Sequence, residues 1–134
     1  GDDVLQTFPP GFDLATYLRI SEDLGVKQTE FVSHDTLDGA EFFSTKFKKD
    51  EGIWKFFPVR WTKHVQHMRV VKIDDLASAL ASHMANYCWD VKRYKFLRGM
   101  FQMFRKNYPD KFPLIYLKSR QYLCYKSKGM ECDV

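Results

Sequence analysis

An α+β fold is expected for this chain of 134 residues, with short antiparallel strands and one helix over residues 1–57 and helices over residues 58–134. Three observations lead there. Leu14, Tyr17, Leu18 and Leu24 recur at helical spacing. Phe-rich, β-prone segments flank the charged run Lys48-Lys49-Asp50-Glu51. From Asp74 onward the apolar period is helical again. The length suits one domain or two small subdomains. With 45% hydrophobic and 28% charged residues the chain can build a core, which excludes wholesale disorder. No apolar run approaches the roughly 18–20 residues of a membrane helix, so no transmembrane segment is expected.

The elements follow in order. Val4 to Phe8 is expected to be a short strand stopped by Pro9-Pro10-Gly11. A helix starts at Asp13, and Gly25 stands where a left-handed residue would end it. Thr29 to Ser33 is expected to be a second strand, and Asp35 to Gly39 carries turn chemistry. Ala40 to Phe47 and Gly52 to Phe57 form a hairpin closed by the charged run. The texture changes near Pro58. Asp74 is the expected N-cap of a helix carrying Leu76, Leu80, His83, Met84 and Tyr87, with Asp75 complementing the helix dipole. Asp90 caps the next helix, lined by Tyr94, Leu97, Met100, Phe101 and Phe104 and ending before Pro109. Pro113 to Tyr125 reads as either strand or helix, with a third helix expected after Leu117.

Charge divides the chain. Residues 1–38 hold two basic against eight acidic residues, a net −6, and residues 39–134 hold nineteen against nine, a net +10. An acidic end suits cations and a basic remainder suits a polyanion, unless both are ordinary solvated faces. Cys88, Cys124 and Cys132 form no CxxC and leave one over, so reduced thiols are expected rather than a disulfide framework or a structural zinc. The chain begins at Gly1 without an apolar leader and is expected to be a piece of a longer protein.

Two constellations could carry chemistry. Adjacent carboxylates Asp2 and Asp3, after a glycine that permits a tight turn, could hold a hard divalent cation. Such an ion could stabilise attacking and leaving oxygens in a phosphoryl transfer. His64 and His67 form an HxxH, which on a helix could ligate a metal, but no nearby Cys, Asp or Glu completes the set. Surface or interface histidine is the simpler reading.

Taken in sequence, the chain presents Gly1-Asp2-Asp3, a strand, a helix ending in Leu24-Gly25, a strand and the hairpin Glu41-Phe42-Phe43-Ser44-Thr45-Lys46-Phe47. Arg60-Trp61-Thr62-Lys63 and basic helices come next. In this order it resembles the carboxyl-terminal part, from motif C onward, of the RNA-dependent RNA polymerases of positive-strand viruses. The hairpin is similar to motif E of the sobemovirus- and luteovirus-like enzymes. Trp61-Thr62-Lys63 with the Ala/Leu/His-rich helix resembles the entry to the thumb of picornavirus-like polymerases. Order and spacing carry the resemblance, which covers essentially the whole chain.

The resemblance implies a partial palm over 1–57 (motifs C, D and E) and a helical thumb over 58–134. It implies that Asp2 binds the catalytic Mg²⁺ or Mn²⁺, with Asp3 its weaker neighbour. Lys27, or His34 as runner-up, is implied to protonate the leaving pyrophosphate. Phe43, Ser44 and Thr45 match the primer grip, and Lys46, Lys63, Arg93 and Arg98 are implied to lie along RNA. Nucleoside triphosphates, template and product duplex are the implied partners, and replication complexes in the host cytoplasm the implied place. Motifs A and B and the fingers would lie upstream of Gly1, so the chain alone is expected not to polymerise. Half of a motif C hairpin is also a poorly stable unit.

Other features remain open between packing and ligand contact. Trp61 could stack on a base or be buried between the two halves. Lys92, Arg93, Lys95, Arg98, Arg105 and Lys106, like Lys46, Lys48 and Lys49, are either a solvated face or phosphate contacts. The rival reading is a stand-alone basic RNA-binding or nucleoprotein-like module without catalysis.

Overall fold

A computed structural model of the chain describes residues 3–27 and 30–117, and the fold is α+β. Helix α1 (Leu14–Asp23) is followed by strands β1 (Glu41–Phe42), β2 (Thr45–Asp50) and β3 (Ile53–Pro58), which form one antiparallel sheet in the order β1-β2-β3. Helices α2 (Trp61–Val70), α3 (Ile73–Asn86) and α4 (Val91–Asn107) follow, and a single helical turn, α5, spans 114–117. No helix among the described residues is long and apolar enough to cross a membrane.

Helix α1 begins and ends where its sequence says it should. The Asp13 carboxylate accepts from the Thr16 backbone N–H at 3.1 Å, satisfying a donor that the first turn leaves unpaired. At the other end Gly25 (φ +89°) donates to the Glu22 carbonyl and Val26 to the Ser21 carbonyl, the paired bonds of a Schellman motif. Yet α1 has no buried residue.

Residues 3–9 form no strand, which corrects the expected Val4–Phe8 element. A strand needs a neighbour to take its backbone groups, and none of the described strands lies beside this segment. Its aromatic end folds onto α1 instead, with Phe8 stacked on Phe12 at 4.8 Å and set edge-on to Tyr17 at 5.3 Å. Glu30 to Ser33 is likewise irregular, and Thr29 lies outside the described residues.

The hairpin is tighter than the charge pattern suggests. Lys48, Lys49 and Asp50 belong to β2, and the loop shrinks to Glu51-Gly52, because Asp50 pairs with Ile53. Both loop residues have positive φ (50° and 76°), the sign pattern of a type I′ turn whose twist matches the flanking strands. A second such loop, Phe43-Ser44, joins β1 to β2 and divides the expected Ala40–Phe47 strand.

The core is helical. Leu80, Met84, Tyr87, Leu97, Phe101 and Phe112 are almost wholly excluded from water. Each large apolar side chain so removed contributes about 1.5–3 kcal/mol. The sheet rests on this core through Ile53, Phe56 and Phe57, and Lys55 lies 4.9 Å over the buried Trp89 ring. The Asp90 carboxylate accepts from the Arg93 N–H at 3.2 Å and caps α4 as expected. Asp74 is not the cap of α3: Lys72 holds that place, and Asp74 and Asp75 sit in the first turn, where the helix dipole favours them. Helix α2 was hidden by its polarity, although Trp61, Val65 and Met68 recur at i, i+4 and i+7 and meet the core. The helix expected after Leu117, together with Cys124 and Cys132, lies outside the described residues, whereas Cys88 is buried in the core.

Candidate functional site

The site expected from the sequence divides into three places. Asp2 lies outside the described residues. Asp3 is exposed and irregular, Lys27 is exposed just past the α1 C-terminus, and His34 is exposed and irregular just before the bend at 35–37. Among the described residues no group of three or more His, Cys, Asp or Glu side chains is placed to hold a metal ion. A divalent cation needs several oxygen ligands, and the described residues do not supply them.

The second place is the tip of the β1–β2 loop. Phe43 and Ser44 have φ of 50° and 55°, a region that costs a residue bearing a Cβ roughly 1–2 kcal/mol. Their surroundings fix it. The Thr45 hydroxyl donates to the Phe43 carbonyl at 3.3 Å, and the Val59 N–H donates to the Ser44 carbonyl at 2.9 Å. The Phe42 ring packs edge-on against Phe43 at 4.2 Å. Phe43 nonetheless stays 60% exposed, so a large ring is held out to solvent on a strained backbone. Strain of this kind is concentrated at sites that bind or react. Lys46 and Lys48 are both exposed on one face of β2, two residues apart in a strand, and so stand about 7 Å from each other along it.

The third place is the wall made by α2 and the start of α4. Trp61 is half-buried, edge-on to Tyr87 at 5.1 Å and to Phe96 at 5.6 Å, and the Arg93 guanidinium lies 5.3 Å over its ring. The Arg93 Nε lies 3.5 Å from the Asp90 carboxylate, so the group that caps α4 also steadies this cation. Trp61 thus packs among the helices rather than between two halves. Lys63 is exposed on α2 and Arg98 half-exposed on α4. The structure brings Phe43, Ser44, Thr45 and Lys46 together; Arg93 belongs to the helical wall.

Sequence reasoning missed a histidine cluster behind that wall. The Tyr87 hydroxyl and His64 Nδ1 are 2.6 Å apart, and the His64 and His83 rings are 5.0 Å apart. Burial first, then the nearby Lys63, His67 and Arg60 charges, hold His64 below its ordinary value. Burial, then His64 and His67, does the same for His83, while burial pushes the Tyr87 hydroxyl up. Neutral His64 accepting from a protonated Tyr87 is the consistent state. The HxxH spacing of His64 and His67 was legible, but their partner His83 comes from a different helix.

Phe96 was missed too, and it carried a signal. It falls outside the Tyr94–Leu97–Phe101–Phe104 stripe, on the face of α4 that the stripe leaves to water, and is 51% exposed. No known protein-family model, curated protein or solved structure matches this chain.

Proposed function

We propose that this chain is the carboxyl-terminal palm and the thumb of a viral RNA-directed RNA polymerase, a metal-dependent nucleotidyltransferase of genome replication. The observation that carries the reading is the Phe43-Ser44 tip, strained and exposed, leading through Pro58 into Arg60-Trp61-Thr62-Lys63 and a basic helical part. A ring fixed at such a tip can steady the end of a growing strand, and rigid positioning is most of what phosphoryl transfer asks of protein.

Residues 3–38 add support. Val4, Leu24, Val26 and Val32 are each more than half exposed, as palm elements would be when the rest of the palm is not beside them. In the reaction the RNA 3′ hydroxyl gives up its proton to solvent and attacks the α-phosphorus of a nucleoside triphosphate; the new O–P bond forms as the bond from the α-phosphorus to the bridging oxygen of the β-phosphate breaks, and pyrophosphate leaves. Lys27 or His34 supplies the proton to the leaving group. Asp2, with Asp3, would hold Mg²⁺ or Mn²⁺ only together with carboxylates from the upstream palm. Lys46, Lys63, Arg93 and Arg98 contact template–product phosphates, so binding weakens steeply as salt rises. Its place would be replication complexes in the host cytoplasm.

Primer extension tests the reading. The chain alone is expected to incorporate no nucleotide; within a polymerase that supplies fingers and upstream palm, Asp2→Ala should lower incorporation by roughly a thousandfold, about 4 kcal/mol of transition-state stabilisation. Near-normal turnover in that variant refutes the assignment. A second reading, a basic RNA-binding module without catalysis, is favoured by one observation: the helical core takes no residue from 3–38. Full activity of the Asp2→Ala polymerase would leave that reading standing.

A further inference from the structure

Between α2 and the N-terminal half of α4 lies a cleft of about 550 Å³, lined by Trp61, Val65, Asp90, Lys92, Arg93 and Phe96. We propose that this cleft binds one unpaired nucleotide of an RNA strand, its base against Phe96 and its phosphate at Lys92. RNA as ligand class rests on the polymerase reading; a subsite for a single unpaired base goes beyond it.

Four observations lead to this ligand. The cleft volume falls in the range of sites for small organic ligands, roughly 300–1,000 Å³. Its apolar surface is aromatic and open: the Trp61 ring meets Phe96 edge-on, and Phe96 stays half exposed. Its charge is cationic in effect, because the Asp90 carboxylate is already taken up by the Arg93 N–H and guanidinium. Lys92 is exposed and makes no ion pair among the described residues. A flat apolar face beside an unspent cation matches a base with its phosphate. A base inside a duplex has both faces covered by its neighbours, so away from a duplex end only an unpaired one can lay a face on Phe96.

The test uses the whole chain in fluorescence anisotropy, with a short unstructured oligouridylate and a long RNA duplex, whose end base pairs are a small share of its length, as probes. Phe96→Leu keeps the apolar bulk and removes the ring; it should weaken oligouridylate binding roughly tenfold. Phe96→Trp should restore it, and duplex affinity should change by less than about twofold in both. Lys92→Gln, at an exposed position with no ion pair among the described residues, should reduce the salt slope by about one phosphate contact. Oligouridylate that is not bound, or is bound equally by the Phe96→Leu chain, overturns the proposal, as does binding indifferent to salt, which would point to a protein partner. The polymerase reading fails separately: a chain that binds through Phe96 but belongs to no incorporating enzyme keeps the subsite and loses the polymerase.

Discussion

Helices α1 and α4 are built from the same local instructions and end in different circumstances. Each has an aspartate whose carboxylate accepts from the N–H three residues on, Asp13 from Thr16 and Asp90 from Arg93. Each carries apolar residues at helical spacing. Helix α4 buries Tyr94, Leu97 and Phe101, whereas α1 buries nothing. Capping and periodicity thus specify that a helix forms, and tertiary burial decides what it contributes to the stability of the whole. Burial in turn depends on what else the chain can bring to that face.

The sharpest way to break this comparison is to cut into each helix equally. Phe101→Ala should cost about 3–5 kcal/mol in denaturant unfolding, because its site is closed on all sides by the core. Leu18→Ala in half-exposed α1 should shift the same transition by under roughly 0.5 kcal/mol. Equal losses would mean that α1 is coupled to the core after all. Removing the caps is a gentler cut. Asp90→Ala should cost about 1 kcal/mol of global stability, whereas Asp13→Ala should lower helicity by circular dichroism and leave the main transition in place.

Tyr87→Phe removes the donor to His64 and keeps the ring packed on Trp61; a loss of about 0.5–1.5 kcal/mol is expected in the same measurement. Acid gives the smallest and most diagnostic effect. His64 and His83 lie below their ordinary 6.5 when folded, so the unfolded chain protonates first as the pH falls. Their contribution is complete above about 6.5 and is lost progressively below it. The Asp13 cap works the other side of the range: hydrogen bonds from Thr16 lower its carboxyl, so α1 keeps its cap until the pH falls below 3.8. The melting temperature should therefore decline below pH 6.5, less steeply in His83→Leu, while the α1 cap survives that interval. A flat profile between pH 7.5 and 5 would remove the histidine cluster from the account.

What was legible in the sequence was local. Asp13, Gly25 and Asp90 announce themselves because caps and left-handed residues act within a few positions, whereas the Glu51-Gly52 loop was hidden by the charged run before it, which the structure places in β2. Val4 to Phe8 has strand composition, yet composition cannot provide the partner that a strand requires. Helix α2 gives a weak apolar period because His64, Gln66 and His67 interrupt it, and that face matters only once α3 lies across it. The candidate site shows the same limit. The Phe43-Ser44-Thr45 segment could be named from its residues, but the positive φ at Phe43 follows from the Phe42–Thr45 pairing. The Phe96 cleft needs two helices, and no window along the chain contains both.

The segment that follows α4 also sets a timetable. Phe112 wedges against Phe101 at 5.3 Å and Phe104 at 5.4 Å, while Lys111 ties to Asp74 at 2.6 Å across thirty-seven positions. During synthesis the bundle has no keystone until these residues leave the ribosome. Without Lys111 and Phe112 every long helix would remain and the hollow that Phe112 fills would stand open, which makes the segment between α4 and α5 the latch on which the helical part closes.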